Sequence, residues 1–224
     1  MTVHFWRAHA RPLQYPLGYV IGTLRHNGHV PKIAAATVAE NREHRRAALH
    51  QAAITLLQRN GGFTVGEVAR EVGLSRSAVY EYYGSAGELI ADVLIDELTA
   101  WSDSLVDATR ADADPRARVH AWIRGVLDYV IDGRHALLRS AANVHLPPTR
   151  RDEVQRLHHA VIAPLVAALA DTDSPDPVRD ARYVWGVVDT AIHRIEAGEC
   201  APHQEILAVM AFTDGALATT LREN

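Results

Sequence analysis

The chain has 224 residues, 48% hydrophobic and 22% charged, with a formal net charge of −4. This is an ordinary globular composition that excludes a fibrous or largely disordered chain and supplies one large core, or a small and a medium one. The lone cysteine, Cys200, excludes an intrachain disulfide and a thiolate-rich metal site, agrees with a reducing compartment and reads as a small packed thiol.

Charge is spread unevenly. Residues 1–90 hold ten Lys/Arg against six Asp/Glu, a net +4, whereas residues 91–224 hold thirteen against twenty-one, a net −8. A basic front on an acidic body fits a protein that meets phosphate at one end, although residues 40–90 are themselves neutral. No apolar run approaches the ~20 residues that span a bilayer. Leu17–Leu24 is interrupted by Gly18, preceded by Pro16 and followed by Arg25-His26 where a small-residue cleavage site belongs, so a cytoplasmic protein with no membrane partner is expected.

Residues 1–38 carry Arg7, Arg11, Arg25 and Lys32, four histidines and no acid, with Pro and Gly interrupting every helix. Three readings stay open for this extension: a flexible basic arm that grips DNA, a disordered tail, or upstream sequence translated from a misplaced start. A helical pattern begins near Glu40. Over Arg42–Arg59 it sets Ala48, Leu49, Ala52, Ala53, Leu56 and Leu57 on one stripe, and Asn60-Gly61-Gly62 ends it. Thr64 with Glu67 three residues on forms a capping box that opens a short helix over Val65–Val72, stopped by Gly73. Ser75 caps a second short helix from Arg76 to about Tyr83, and Gly84-Ser85 leads into a long one over about Ala86–Thr109.

Further helices are predicted from Pro115 to Ile131, over His135–Asn143, from Arg151 to Leu169 with a kink at Pro164, from Asp176 or Pro177 to Glu196, and from Pro202 to Leu221. No segment alternates like a strand. The expected fold class is all-α: an N-terminal three-helix DNA-binding domain with a helix-turn-helix, then a C-terminal helical ligand-binding and dimerisation domain. The domain boundaries read as 1–38 for the extension, 39–88 for the helix-turn-helix domain and 89–224 for the sensor domain.

Thr64–Tyr83 carries the chemistry. Two helices crossing steeply through a tight turn need a small residue at the crossing (Ala69), a glycine in the turn four residues on (Gly73) and an apolar side chain returning to the junction (Val79). Val68, Val72, Leu74 and Tyr82 fill the remaining inward positions, and Tyr83 reads as core packing. A helical hairpin with no DNA role meets the same demands.

Residues 42–94 resemble the DNA-binding domain of the tetracycline-repressor (TetR) family of bacterial regulators. The resemblance lies in Arg46–Ala53, in Thr64–Ala69, in Gly73–Tyr83 across turn and recognition helix, and in Glu88-Leu89. It implies a recognition helix in the major groove, with Arg76 for base readout and Ser77 and Glu81 for secondary contacts. Tyr80, Thr64 and Ser75 then meet phosphate. Three departures stand out: a loop over Gly61–Thr64 about two residues short, Ser77 at a small-or-proline position, and Ala86 where the family commonly carries a phosphate-gripping base. Arg42, Arg45, Arg46 or the basic extension offset that last loss.

The resemblance also implies a C-terminal domain that binds a small-molecule effector and makes a homodimer through its last two helices. Ala181, Val184, Trp185, Val188, Ile192 and Ile195 form one broad apolar face, and Ile206, Val209, Met210, Thr213, Ala216, Leu217 and Leu221 another. These faces either build a four-helix bundle with a second copy or are buried within one subunit. Trp122, Tyr129, His145, His158, Tyr183, Trp185 and His193 are candidates to line an effector pocket. His158 and His159 point to different sides of a helix, and no metal or cofactor is expected. No glycine-rich phosphate loop, GxSxG, HExxH or nucleophile–base pair appears, so no catalytic residue and no enzyme is expected. The expected function is a ligand-responsive repressor released from a palindromic double-stranded operator by its effector. The alternative is a helical ligand-binding or scaffold protein that has lost sequence-specific DNA binding.

Overall fold

The computed structural model describes residues 38–172 and 174–220. Among them are ten helices and no strand: α1 (Val38–Asn60), α2 (Val65–Glu71), α3 (Arg76–Tyr80), α4 (Ala86–Arg110), α5 (Pro115–Ile131), α6 (His135–Ala141), α7 (Pro148–Ala160), α8 (Ala163–Ala170), α9 (Pro177–Glu196) and α10 (Pro202–Thr220). The extension's residues 1–37 and Leu221 lie outside the described residues.

Local signals account for most helix starts. The Thr64 hydroxyl accepts from the Glu67 amide while the Glu67 carboxylate takes the Thr64 N–H at 2.7 Å. Ser75 accepts from the Ala78 amide, Ser85 from Glu88, Asp114 from Arg116 and Asp176 from Arg179. Each bond satisfies an amide that the first helical turn leaves without a partner.

Two apolar cores form along the chain. The smaller joins Leu49, Ala53, Leu56 and Leu57 of α1 to Val68 and Ala69 of α2, Val79 of α3 and the first turns of α4. It also draws in Leu137, Ala141 and Leu146 from α6 and the loop after it. Ala48 is exposed, because the buried stripe runs through Leu49, Ala52 and Ala53 and leaves Ala48 off its edge. The larger core packs Trp101 and Leu105 of α4 with Trp122, Ile123, Val126 and Leu127 of α5, Leu165 and Leu169 of α8, and the inner faces of α9 and α10.

Two helices differ from expectation. The recognition helix is regular only to Tyr80; Tyr82 and Tyr83 both return their amides to the Val79 carbonyl, closing a turn. The segment expected as one kinked helix is two, α7 and α8, separated at Val161-Ile162. Pro164 has no N–H to return to the preceding turn, so the helix stops and restarts with the proline in its first turn. Val161 then leaves its carbonyl facing the core, where the Trp122 indole N–H donates to it at 2.9 Å.

Candidate nucleic-acid interface

The corner between α2 and α3 is built as its residues require. Ala69 and Val79 are buried at the crossing, and the Leu74 amide donates to the Ala69 carbonyl at 2.8 Å, which pulls the chain around. Gly73 sits at φ +69°, a conformation that costs an L-residue with a Cβ about 1–2 kcal/mol. With its inner side locked, α3 presents Ser75, Arg76, Ser77, Tyr80 and Glu81 outward; all are exposed, Tyr80 at 48% although it is a large ring. Thr64 is exposed at the start of α2. The Ser75 and Ser77 hydroxyls lie 2.9 Å apart, and the Arg76 stem runs over Gly66, 3.6 Å from where a Cβ would stand. This is a short rod with one polar face free and a guanidinium at its N-terminal end, the shape that fits a major groove.

Two of the α1 arginines, Arg42 and Arg46, part company. Arg42 is exposed and stacks over the Tyr82 ring, 5.5 Å from its centroid. Arg46, expected to grip phosphate, instead turns toward α4, with Nη2 3.2 Å from Asp92 and 3.6 Å from Asp96. Opposite charge on the facing helix captures it. The Asp92 carboxylate is a hub that sequence reasoning missed. Its Oδ2 accepts from Arg46 and from the Tyr83 hydroxyl (2.9 Å), with His50 Nε2 3.1 Å away, while Oδ1 accepts from Arg150 of α7 at 2.6 Å. Burial alone pushes the Asp92 carboxyl up, but Tyr83, Arg46, His50 and Arg150 outweigh it and hold it below its ordinary value. Burial, reinforced by Asp92, pushes the Tyr83 phenol well up. A charged residue on each of α1, α4 and α7 was the only signal available, and nothing local pairs them.

The candidate effector residues do not gather around one cavity. Trp122 is fully buried and the half-buried Trp185 tilts against it, ring centroids 6.0 Å apart. Tyr129 stacks on Trp101 instead, at 4.2 Å, and its hydroxyl donates to Glu97. His145, in the loop before α7, and His158 are exposed; Tyr183 and His193 face outward from α9. Trp101, which was not singled out, is buried with an indole N–H that has no hydrogen-bond partner.

The apolar faces of α9 and α10 expected at a dimer interface are turned into their own subunit: Ala181, Val184, Val188 and Ile192, with Ile206, Val209 and Leu217, are all buried in the larger core. Both helices carry a second apolar side. It leaves Val178, Tyr183, Leu207 and Phe212 more than half exposed. Tyr183 and Phe212 line a small cavity of about 80 Å³ that also takes in Thr213, whose buried hydroxyl has no partner.

A helix-turn-helix with one exposed helix face, followed by a helical half with a core of its own, defines the class of fold: an all-helical chain with an N-terminal helix-turn-helix. No family model matches the chain. Over 82 residues it is 37% identical to the HTH-type transcriptional regulator BetI of Rhizobium meliloti (strain 1021), a stretch that makes up 36% of this chain and 40% of that relative's length. A TetR family transcription regulator from Marinobacter aquaeolei VT8 shares the fold with a TM-score of 0.59 at 15% identity, over 79% of this chain and 97% of that one. The transcriptional regulator FadR from Bacillus subtilis, solved in complex with stearoyl-CoA, does so with a TM-score of 0.59 at 11% identity, over 77% and 95%. The chain has the fold of TetR-family transcriptional regulators, and the resemblance read from residues 42–94 is borne out.

Proposed function

We propose that the chain is a ligand-responsive, DNA-binding transcription regulator of the TetR type, a cytoplasmic homodimeric repressor released from a palindromic operator by a small molecule. One observation carries this: a locked corner beneath a recognition helix whose Arg76, Ser77, Tyr80 and Glu81 make no contribution to the core. Residues 39–88 read DNA and residues 89–224 sense the effector and dimerise. Arg76 reads guanine, since its fork matches O6 and N7 together. Tyr80, Thr64, Ser75 and Arg42 take phosphate, and Arg46 contributes only on leaving Asp92.

The second copy covers the outer side of α9 and α10. Phe212 and Tyr183 are too large and too exposed for a lone subunit in water, while Gly186 leaves open space for a close approach. The effector enters the sensor core beside Trp101, where packed side chains must part to admit it. A buried donor without an acceptor costs about 1–3 kcal/mol, and a ligand carrying a hydrogen-bond acceptor on an apolar body relieves that.

Selection of duplexes from a random pool tests the reading. Wild type should enrich a palindrome, and Arg76→Ala should weaken binding by about 1–3 kcal/mol and relax specificity at one base pair per half-site. Phe212→Glu should yield monomers by light scattering. A wild-type protein that enriches no sequence at any salt concentration would instead be the scaffold that has lost DNA recognition.

A further inference from the structure

The sensor half meets the helix-turn-helix at the start of α4, and two contacts there come from one stretch of chain. The carbonyl of His145, three residues before α7 begins, lies so close to Gly87 that a Cβ there would stand 2.7 Å from it. Five residues further along α4, Arg150 in the first turn of α7 reaches Asp92. The same carboxylate holds Tyr83, the buried residue that closes the turn after the recognition helix, and Arg46 and His50 of α1.

We propose that Asp92 is a positioning residue through which α7 sets the placement of the recognition helix. Arg150 holds one carboxylate oxygen on the sensor side, and Tyr83, Arg46 and His50 hold the other on the DNA-binding side. This deepens the regulatory reading above and rests on it. A carboxylate has about four lone-pair sites, and here each donor competes with the others for direction and charge. Charge-assisted bonds sharing one acceptor are coupled, so losing Arg150 changes how Tyr83 is held. The hub also forms the wall of an open cleft of about 750 Å³ lined by Arg46, Tyr83, Asp92 and Arg150. Water can therefore take the place of Arg150 without opening either apolar core, as a reversible contact requires. A movement of α7 that leaves Gly87 and Asp92 undisturbed is not available to this geometry.

A double-mutant cycle tests it. Tyr83→Phe keeps the ring in the core, and Arg150→Met keeps the stem of a half-buried residue, so both variants should fold. Affinity is read on the duplex that wild type selects. The double variant should depart at least about fivefold from the product of the single effects, and in an Asp92→Asn background the effects should become multiplicative. Hydrogen exchange without DNA supplies the second readout: Arg150→Met should speed exchange at residues 82–90 as well as at the start of α7. Multiplicative effects in the wild-type background, or exchange at 82–90 unchanged by Arg150→Met, would overturn the coupling. If wild type selects no duplex, the regulator reading fails, and the exchange data alone decide whether Asp92 joins the two halves.

Discussion

Replacing Trp122 by Phe tests the break between α7 and α8 by removing a single donor. The indole is fully buried, and its N–H serves the Val161 carbonyl at 2.9 Å. In an uninterrupted helix that carbonyl would be served by the amide four residues on. Phe retains most of the ring but strands the carbonyl, which costs about 1–3 kcal/mol, and the space left by the smaller ring adds about 1 kcal/mol. The expected loss is therefore about 2–4 kcal/mol, a large part of the 5–15 kcal/mol typical of a folded domain. Urea unfolding followed by circular dichroism, at matched protein concentration, reads it as a lower midpoint with an unchanged slope. Trp185→Phe, in the half-buried ring tilted against Trp122, should cost less than about 1.5 kcal/mol. A Trp122→Phe protein within about 0.5 kcal/mol of wild type would mean that the backbone already serves Val161, and that α7 and α8 are one bent helix.

At Gly87 an added methyl gains about 1 kcal/mol of helix propensity but meets the His145 carbonyl at 2.7 Å and the Pro147 ring at 3.4 Å. Overpacking should win, so Gly87→Ala should destabilise by about 1–2 kcal/mol; an unchanged or raised midpoint in urea unfolding would refute the close contact. Thr64→Ala removes the capping box and should cost about 1 kcal/mol, with faster amide exchange over residues 65–68; unchanged exchange there would reject the cap's role. The Asp92 carboxyl lies below its ordinary value in the folded protein, so its stabilisation is present above about pH 4 and lost as pH falls through the folded value. The stability gap between wild type and Asp92→Asn should accordingly hold down to about pH 4 and close below it, and a gap that widens there would contradict the hub.

What the residues disclosed in advance was local or periodic. Thr64 with Glu67, Ser75 and Gly73 each act within four positions of chain, so the corner could be read from spacing alone. Long-range pairing could not. Arg46 looks like a free surface cation until Asp92, 46 residues away, is folded against it. Periodicity marked apolar faces on α9 and α10 correctly but carries no information about which molecule covers them, and the faces singled out proved to be internal. Pro164 announced a disturbance, and only the Val161 carbonyl left open at the break, with Trp122 39 residues upstream to take it, shows why the helix parts completely. The aromatic residues of the sensor half share composition with a pocket, yet Tyr129 is buried against Trp101 while Tyr183 stands in solvent.

Five residues make up α3, and their labour is divided. Val79 alone anchors the rod, while Arg76, Ser77 and Tyr80 touch water and Glu81 follows just beyond. Exchanges at such outward positions rarely move stability by more than about 0.5 kcal/mol. Under the function proposed above, the sequence that this helix reads can therefore drift over generations without endangering the fold beneath it, so that one scaffold comes to answer to different promoters.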